Sequence, residues 1–192
     1  WYCYTEGYTN MSQCPNYGIY DNGNNVFNFY DNFAGTSLNT SKWIAVTSGN
    51  MQVTVNNGLQ ITNASTTSYY GGLISFQSFT APYVFDAYLG SLDVVSSGYN
   101  GATGIGLQSG NSASSSGYVI VSWTANGVYG TFASGSMSGG LSNIAEVPAP
   151  GISSGRILSM YTTGSVIGYG VNYNYITYSS TASEPYISLG GY

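Results

Sequence analysis

Short runs with a two-residue period recur along the whole chain, and each is cut off by Gly, Asn or Ser before it can lengthen. No stretch repeats its apolar residues at helical spacing. A chain punctuated this way forms strands, because its side chains alternate between two faces and its turns come too soon for a helix. Met51-Gln52-Val53-Thr54-Val55 alternates, Asn57-Gly58 turns, and Leu59-Gln60-Ile61-Thr62 alternates again, which is a hairpin signal. Val26 to Tyr30 is aromatic and strand-like, and Gly72 to Phe76 is a short apolar strand. Tyr83 to Val95 is the longest run, with a bend expected at Gly90. Ile105 to Gln108 follows. Tyr118 to Trp123 is almost continuously apolar, which marks a central strand. Asn126-Gly127 leads into Val128 to Ala133. Arg156 to Thr162 and Val166 to Val171 pair around Gly164-Ser165, and Tyr173 to Ser179 and Tyr186 to Leu189 complete the series. Ser109 to Gly117 and Ser134 to Gly140 read as loops, and Val147-Pro148-Ala149-Pro150 as an extended connector. The expected fold is all-β: a β-sandwich of about a dozen short antiparallel strands in one domain, with no internal linker and no repeat.

Charge narrows the partners. Only 5% of the 192 residues are charged, against roughly 25% in an ordinary soluble domain. Lys42 and Arg156 are the only strong bases and there is no histidine. Nucleic-acid binding needs clustered Lys and Arg, so it is excluded, as is a polybasic membrane patch. No apolar run approaches the roughly 18 residues that span a bilayer. Trp1-Tyr2-Cys3-Tyr4 has neither the basic nor the apolar part of a targeting peptide, so the chain reads as a mature or excised product. Solubility rests on hydroxyls and amides. With seven acids in all, pH has little to act on, and the pH-linked part of stability is expected to be small. That suits acidic or otherwise harsh water outside a cell.

Cys3 and Cys14 are close in sequence, and a disulfide between them would stabilise by roughly 2–3 kcal/mol in an oxidising compartment. Two free thiols of a reducing compartment are the alternative, and the rest of the composition looks secreted. Asn10-Met11-Ser12, Asn39-Thr40-Ser41 and Asn63-Ala64-Ser65 are N-glycosylation sequons, although such triplets also arise by chance in a chain this rich in Asn, Ser and Thr. Together these features make an extracellular location at the cell surface the expectation.

The phrase Asp31-Asn32-Phe33-Ala34-Gly35-Thr36-Ser37-Leu38-Asn39-Thr40-Ser41-Lys42-Trp43 resembles the opening of concanavalin A-like lectin/glucanase jelly rolls. The variant here is similar to domains of large archaeal surface proteins of uncharacterised function. The Asn57-Gly58 hairpin, the strand Tyr83 to Leu89 and the closing Pro185-Tyr186-Ile187-Ser188-Leu189-Gly190 agree with it. The resemblance covers about residues 26 to 190. It implies a jelly-roll domain over 26–192 and an N-terminal segment, 1–25, pinned by the disulfide. Members of this superfamily usually continue past the "ISLG" strand into one more strand. Either the sequence is cut short there, or an open sheet edge is expected after Gly190, one that recruits a partner strand.

The glucanases of this superfamily place acids close together on one strand, as Glu-x-Asp-x-x-Glu. Glycoside hydrolysis needs two carboxyl groups at a defined separation. No such run occurs here. Asp86 and Asp93 are seven apart, which puts them on opposite faces of a strand if Gly90 does not bulge, and they read as structural or solvent-facing; without histidine there is no conventional serine triad. The chain is accordingly expected not to be an enzyme. No cofactor is expected. Asp21-Asn22-Gly23-Asn24-Asn25 offers oxygens to Ca²⁺, but lacks the alternating acids of a dedicated loop and reads more simply as a turn. Tyr69, Tyr70, Tyr99, Tyr169, Tyr173, Tyr175 and Tyr178 are candidates for sugar stacking or for protein interfaces, and interface and core packing together outweigh sugar binding because nothing in the sequence marks one convergent pocket. The expected role is a structural subunit of an archaeal filament, sheath or surface layer. Its partners would be further copies of itself or other surface proteins, joined through β-edge and tyrosine contacts. Carbohydrate binding or adhesion is the alternative.

Overall fold

Alternating sequence becomes strand wherever a neighbour completes the ladder. The computed structural model describes residues 27–63, 70–90, 102–123, 129–147, 152–180 and 183–191. Their strands are β1 (Trp43–Thr47), β2 (Met51–Val55), β3 (Leu59–Asn63), β4 (Gly71–Ser75), β5 (Tyr83–Leu89), β6 (Ala102–Gln108), β7 (Gly117–Trp123), β8 (Tyr129–Ser136), β9 (Gly140–Glu146), β10 (Arg156–Thr162), β11 (Val166–Val171), β12 (Asn174–Ser179) and β13 (Tyr186–Gly191). Residues 27–38 with 55–59 form one compact unit, and the remaining described residues form a second.

In the first unit Asn57 and Gly58 take φ of 49° and 150°, as a tight hairpin tip requires. Asn57 Oδ1 accepts from Gly35 N at 3.1 Å, and Gly58 N donates to Phe33 O at 2.9 Å. Phe27 to Tyr30, expected to be a strand, is bend and irregular chain. Aromatic residues favour a strand only when a ladder is offered; here the rings of Phe27 and Tyr30 stack on each other at 6.1 Å.

The second unit is a sandwich. A seven-stranded sheet runs β1-β4-β13-β6-β7-β8-β9 and a four-stranded sheet runs β12-β11-β10-β5, while β2 and β3 form a two-stranded sheet. Leu73, Ile105, Ile120, Phe132 and Leu189 share one face of the larger sheet by register, and all are buried. Leu158, Met160, Ile167, Tyr169 and Val171 are buried apolar residues on the inner face of the smaller sheet. The rings of Phe132 and Tyr169 lie parallel across the interface, 4.0 Å apart. Tyr178 meets Phe132 edge-on at 5.4 Å.

The larger sheet is buried on its other face too. Ile74, Val119, Val121 and Ala133 lie there, with Leu141 packed against the last three. Burial on both faces is why β7 reads as a continuous apolar run, and β7 is central, between β6 and β8.

Two expectations about the strands change. Ser134 to Gly140 is no loop: it holds the end of β8, a short turn and the start of β9. The closing strand is also no edge. β13 pairs with β4 on one side and β6 on the other, so Gly190 offers no open ladder to a partner.

Candidate functional site

The outer face of the four-stranded sheet collects aromatic side chains. β5 alternates half-buried and exposed residues, which turns Val84, Asp86 and Tyr88 outward. Register carries two rows across the sheet: Asp86, Ser159, Gly170, Tyr175, and Val84, Tyr161, Gly168, Thr177. Tyr161 leans over Gly168, where an added Cβ would run into its ring, and reaches Tyr175 with ring centroids 5.4 Å apart. Glycine at 168 therefore lets an aromatic lie flat across the strand. Ser159 belongs to the outer face yet is fully buried, and its hydroxyl has no hydrogen-bond partner.

Tyr173 sits at the tip of the β11–β12 hairpin. Asn172 and Tyr173 have φ of 50° and 63°, the pattern of a two-residue turn with both centres left-handed. Asn suits that conformation and is pinned by Ile157 N donating to its Oδ1 at 2.9 Å. A bulky ring there costs about 1 kcal/mol or more. The strained residue is 57% exposed; Tyr88 is 71%, Val84 60% and Tyr175 37% exposed. The Tyr173 phenol is pushed up by desolvation first, then by the negative charges of Asp86 and Tyr175, which ties the hairpin tip to the middle of β5.

A second group stands apart. Glu184, just before β13, is 5% exposed, and its Oε2 is buried without a partner. Burial raises its carboxyl to about 7. The Tyr83 hydroxyl donates to the Glu184 backbone carbonyl, and the Tyr83 phenol is raised by its own burial and then by the Glu184 charge. Phe79 N donates to Pro185 O at 2.6 Å, so the segments entering β5 and β13 are tied together here. The expectation that pH has almost nothing to act on does not hold at this carboxyl.

The tyrosines expected as one series divide between the two faces of the sheet. Tyr173 and Tyr175 are on the outer face, whereas Tyr169 is a core residue at 2% exposure and Tyr178 packs inside against Phe132 and Tyr118. For those two the structure gives core packing, one of the roles expected for the series, and not a ligand contact. Tyr70 is half-buried before β4, its N donating to Ser48 Oγ at 3.0 Å. Asn39 is exposed, and its Oδ1 accepts from Ser41 N and Oγ at 3.1 and 2.7 Å within its own sequon. Asn63 ends β3. Cys3, Cys14, Asn10, Tyr69, Tyr99, Asp93 and the Asp21–Asn25 stretch lie outside the described residues. Among the described residues, no three of His, Cys, Asp and Glu form a metal cluster.

Tyr88, Tyr161, Ser159 and Glu184 were not singled out from sequence. The outward set of β5 was hidden because its inward partners Tyr83, Phe85, Ala87 and Leu89 are equally apolar. Counting by twos outward from Asp86 would have found Val84 and Tyr88.

No protein-family model matches the chain, and no curated protein does. Solved structures do match. A β-glucanase from Bacillus licheniformis aligns with a TM-score of 0.59 at 14% identity, over 85% of this chain and 84% of that one. A candidate β-glucanase from Mycobacterium abscessus gives 0.55 at 14%, over 86% and 90%. The catalytic domain of an endo-1,3-β-glucanase (laminarinase) from Thermotoga petrophila gives 0.54 at 10%, over 84% and 83%. The chain has the concanavalin A-like jelly-roll fold, and at these identities the likeness is one of fold alone. It overturns one expectation. A fold shared with three glucanases removes the ground for excluding catalysis, which had rested on missing sequence motifs.

Proposed function

We propose that this jelly roll recognises a polysaccharide through the tyrosine-lined outer face of its four-stranded sheet. The observation that carries the reading is that Tyr88 and Tyr175 stand on the outer face that bears Asp86, with Tyr173 at the hairpin tip beside Tyr175 in sequence, and that all three rings reach solvent. Flat aromatic rings bind the apolar faces of sugar rings, and a carboxylate among them accepts hydroxyl hydrogen bonds. The strain accepted at Tyr173 supports a role beyond folding, since glycine would meet the turn without it. The fold is one that β-glucanases use, which makes a β-glucan the first polymer to try.

The test is depletion of the protein from solution by insoluble polysaccharides, β-glucans first, with release of reducing sugar followed in the same tubes. Wild type is expected to be retained, and Y173A/Y175A to lose about tenfold in affinity, or about 1.4 kcal/mol. Retention of the double variant at wild-type strength, or no retention of either on any polymer, would refute the reading.

A second reading is assembly into the extracellular filament, sheath or layer expected from the sequence. It is favoured by β9 and β12, the outermost strands of their sheets, whose residues are mostly exposed. Strand-to-strand pairing there is the chemistry it would use. Sedimentation of the purified protein over a concentration series separates the two readings.

A further inference from the structure

Asp86 occupies an unusual setting. Among the described residues it is the only charged side chain that register places on the tyrosine face. It makes no hydrogen bond or ion pair with any described group. Neither base compensates it: Arg156 donates to Ser153 Oγ, and register aligns it with Leu89 rather than with the outward set. Lys42 precedes β1 in the other sheet. The Tyr173 hydroxyl feels the Asp86 charge, so the carboxylate and the π faces act on the same space. The chain as a whole carries a net charge of −5.

A face built only for neutral sugar would be served by amides and hydroxyls, which this sequence has in abundance. An uncompensated carboxylate among exposed tyrosines is instead suited to a cation. The ring faces are electron-rich and attract ammonium groups, and the carboxylate adds a direct ion pair. A polyanionic polysaccharide would be repelled. The polymer that satisfies both the stacking surface and the charge is one whose sugar rings carry amines.

Resting on the polysaccharide reading above, we propose that this face selects a polysaccharide bearing protonated amino groups. Asp86 receives an ammonium while Tyr88, Tyr173 and Tyr175 pack against the sugar rings. Asp86 is thus the residue that sets specificity, and the tyrosines supply the shared, charge-independent part of binding.

The experiment is calorimetric titration with three oligosaccharides of equal length: β-1,4-linked glucosamine, its N-acetylated form, and a neutral β-linked glucose oligomer. The pH is held where the amines are protonated. Wild type, D86N and E146Q are compared; Glu146 is an exposed acid on β9, away from the tyrosine face. The amino oligomer should bind wild type at least about tenfold more tightly than the other two, with the preference shrinking as salt is raised. D86N should reduce it to the neutral level, and E146Q should leave it intact. Asp86 is exposed, and an unchanged melting temperature for D86N verifies the fold. Equal affinity for the amino and N-acetylated forms, an undiminished D86N, or equal losses in D86N and E146Q would each overturn the proposal. If wild type binds the neutral oligomer and Y173A/Y175A abolishes this, the polysaccharide reading stands and the amine specificity alone falls. If no oligosaccharide binds, both fall.

Discussion

Glu184 makes the stability of this protein depend on pH in the direction opposite to most carboxylates. Its carboxyl is raised from 4.5 to about 7 by burial. The folded state therefore holds a proton that the unfolded state has already released between those values. Below pH 4.5 both states are protonated and Glu184 carries no penalty. Between 4.5 and 7 the penalty for folding grows, and above 7 it is complete. At about 1.36 kcal/mol per pH unit, the full loss is about 3 kcal/mol. For a chain of this size that corresponds to a melting temperature lower by roughly 6–12 °C. The perturbation is E184Q, which keeps the shape and removes the proton. Thermal unfolding followed by far-UV circular dichroism from pH 4 to pH 8.5 should show wild type falling across this window and E184Q staying nearly flat. At pH 8 the variant should be the more stable of the two. A wild-type profile that is flat or rises with pH, or an E184Q profile as steep as wild type, would refute the reasoning.

The sandwich interface gives a second prediction. Phe132 is fully buried and stacked on Tyr169 at 4.0 Å, so F132A should destabilise by about 3–5 kcal/mol in urea unfolding. Tyr173 separates stability from function. Y173G relieves a left-handed tyrosine and should keep or raise the melting temperature, while lowering polysaccharide retention in the depletion assay. Gly104 lies in a central strand, where a Cβ would meet the Ile120 backbone. G104A should therefore cost about 1–3 kcal/mol by overpacking, measured by the same denaturation.

Much of the sandwich was legible because burial and alternation coincide. β10 and β11 run over the residues expected of them, since Gly164-Ser165 separates two clearly apolar runs. β7 declared itself central through a run that no half-exposed strand would tolerate. β9 was illegible because nearly all its residues are exposed and a register shift beside Phe132 breaks its alternation. The interior position of β13 could not be read either, because sheet order is settled by long-range pairing and not by local pattern. The tyrosine face was half legible. Its residue types were noticed, but Tyr169 and Tyr178 were grouped with Tyr173 and Tyr175, although the step from 175 to 178 already changes face. Glu184 left no local signal, since its burial exists only once the segments entering β5 and β13 meet.

The account turns on which surface carries the sugar. A crystal structure of the protein with a bound β-linked oligosaccharide answers this most directly. The account predicts the sugar on the outer face of the four-stranded sheet, against Tyr173 and Tyr175 and within reach of Asp86. Sugar bound to the seven-stranded sheet, with the tyrosine face bare, would contradict it.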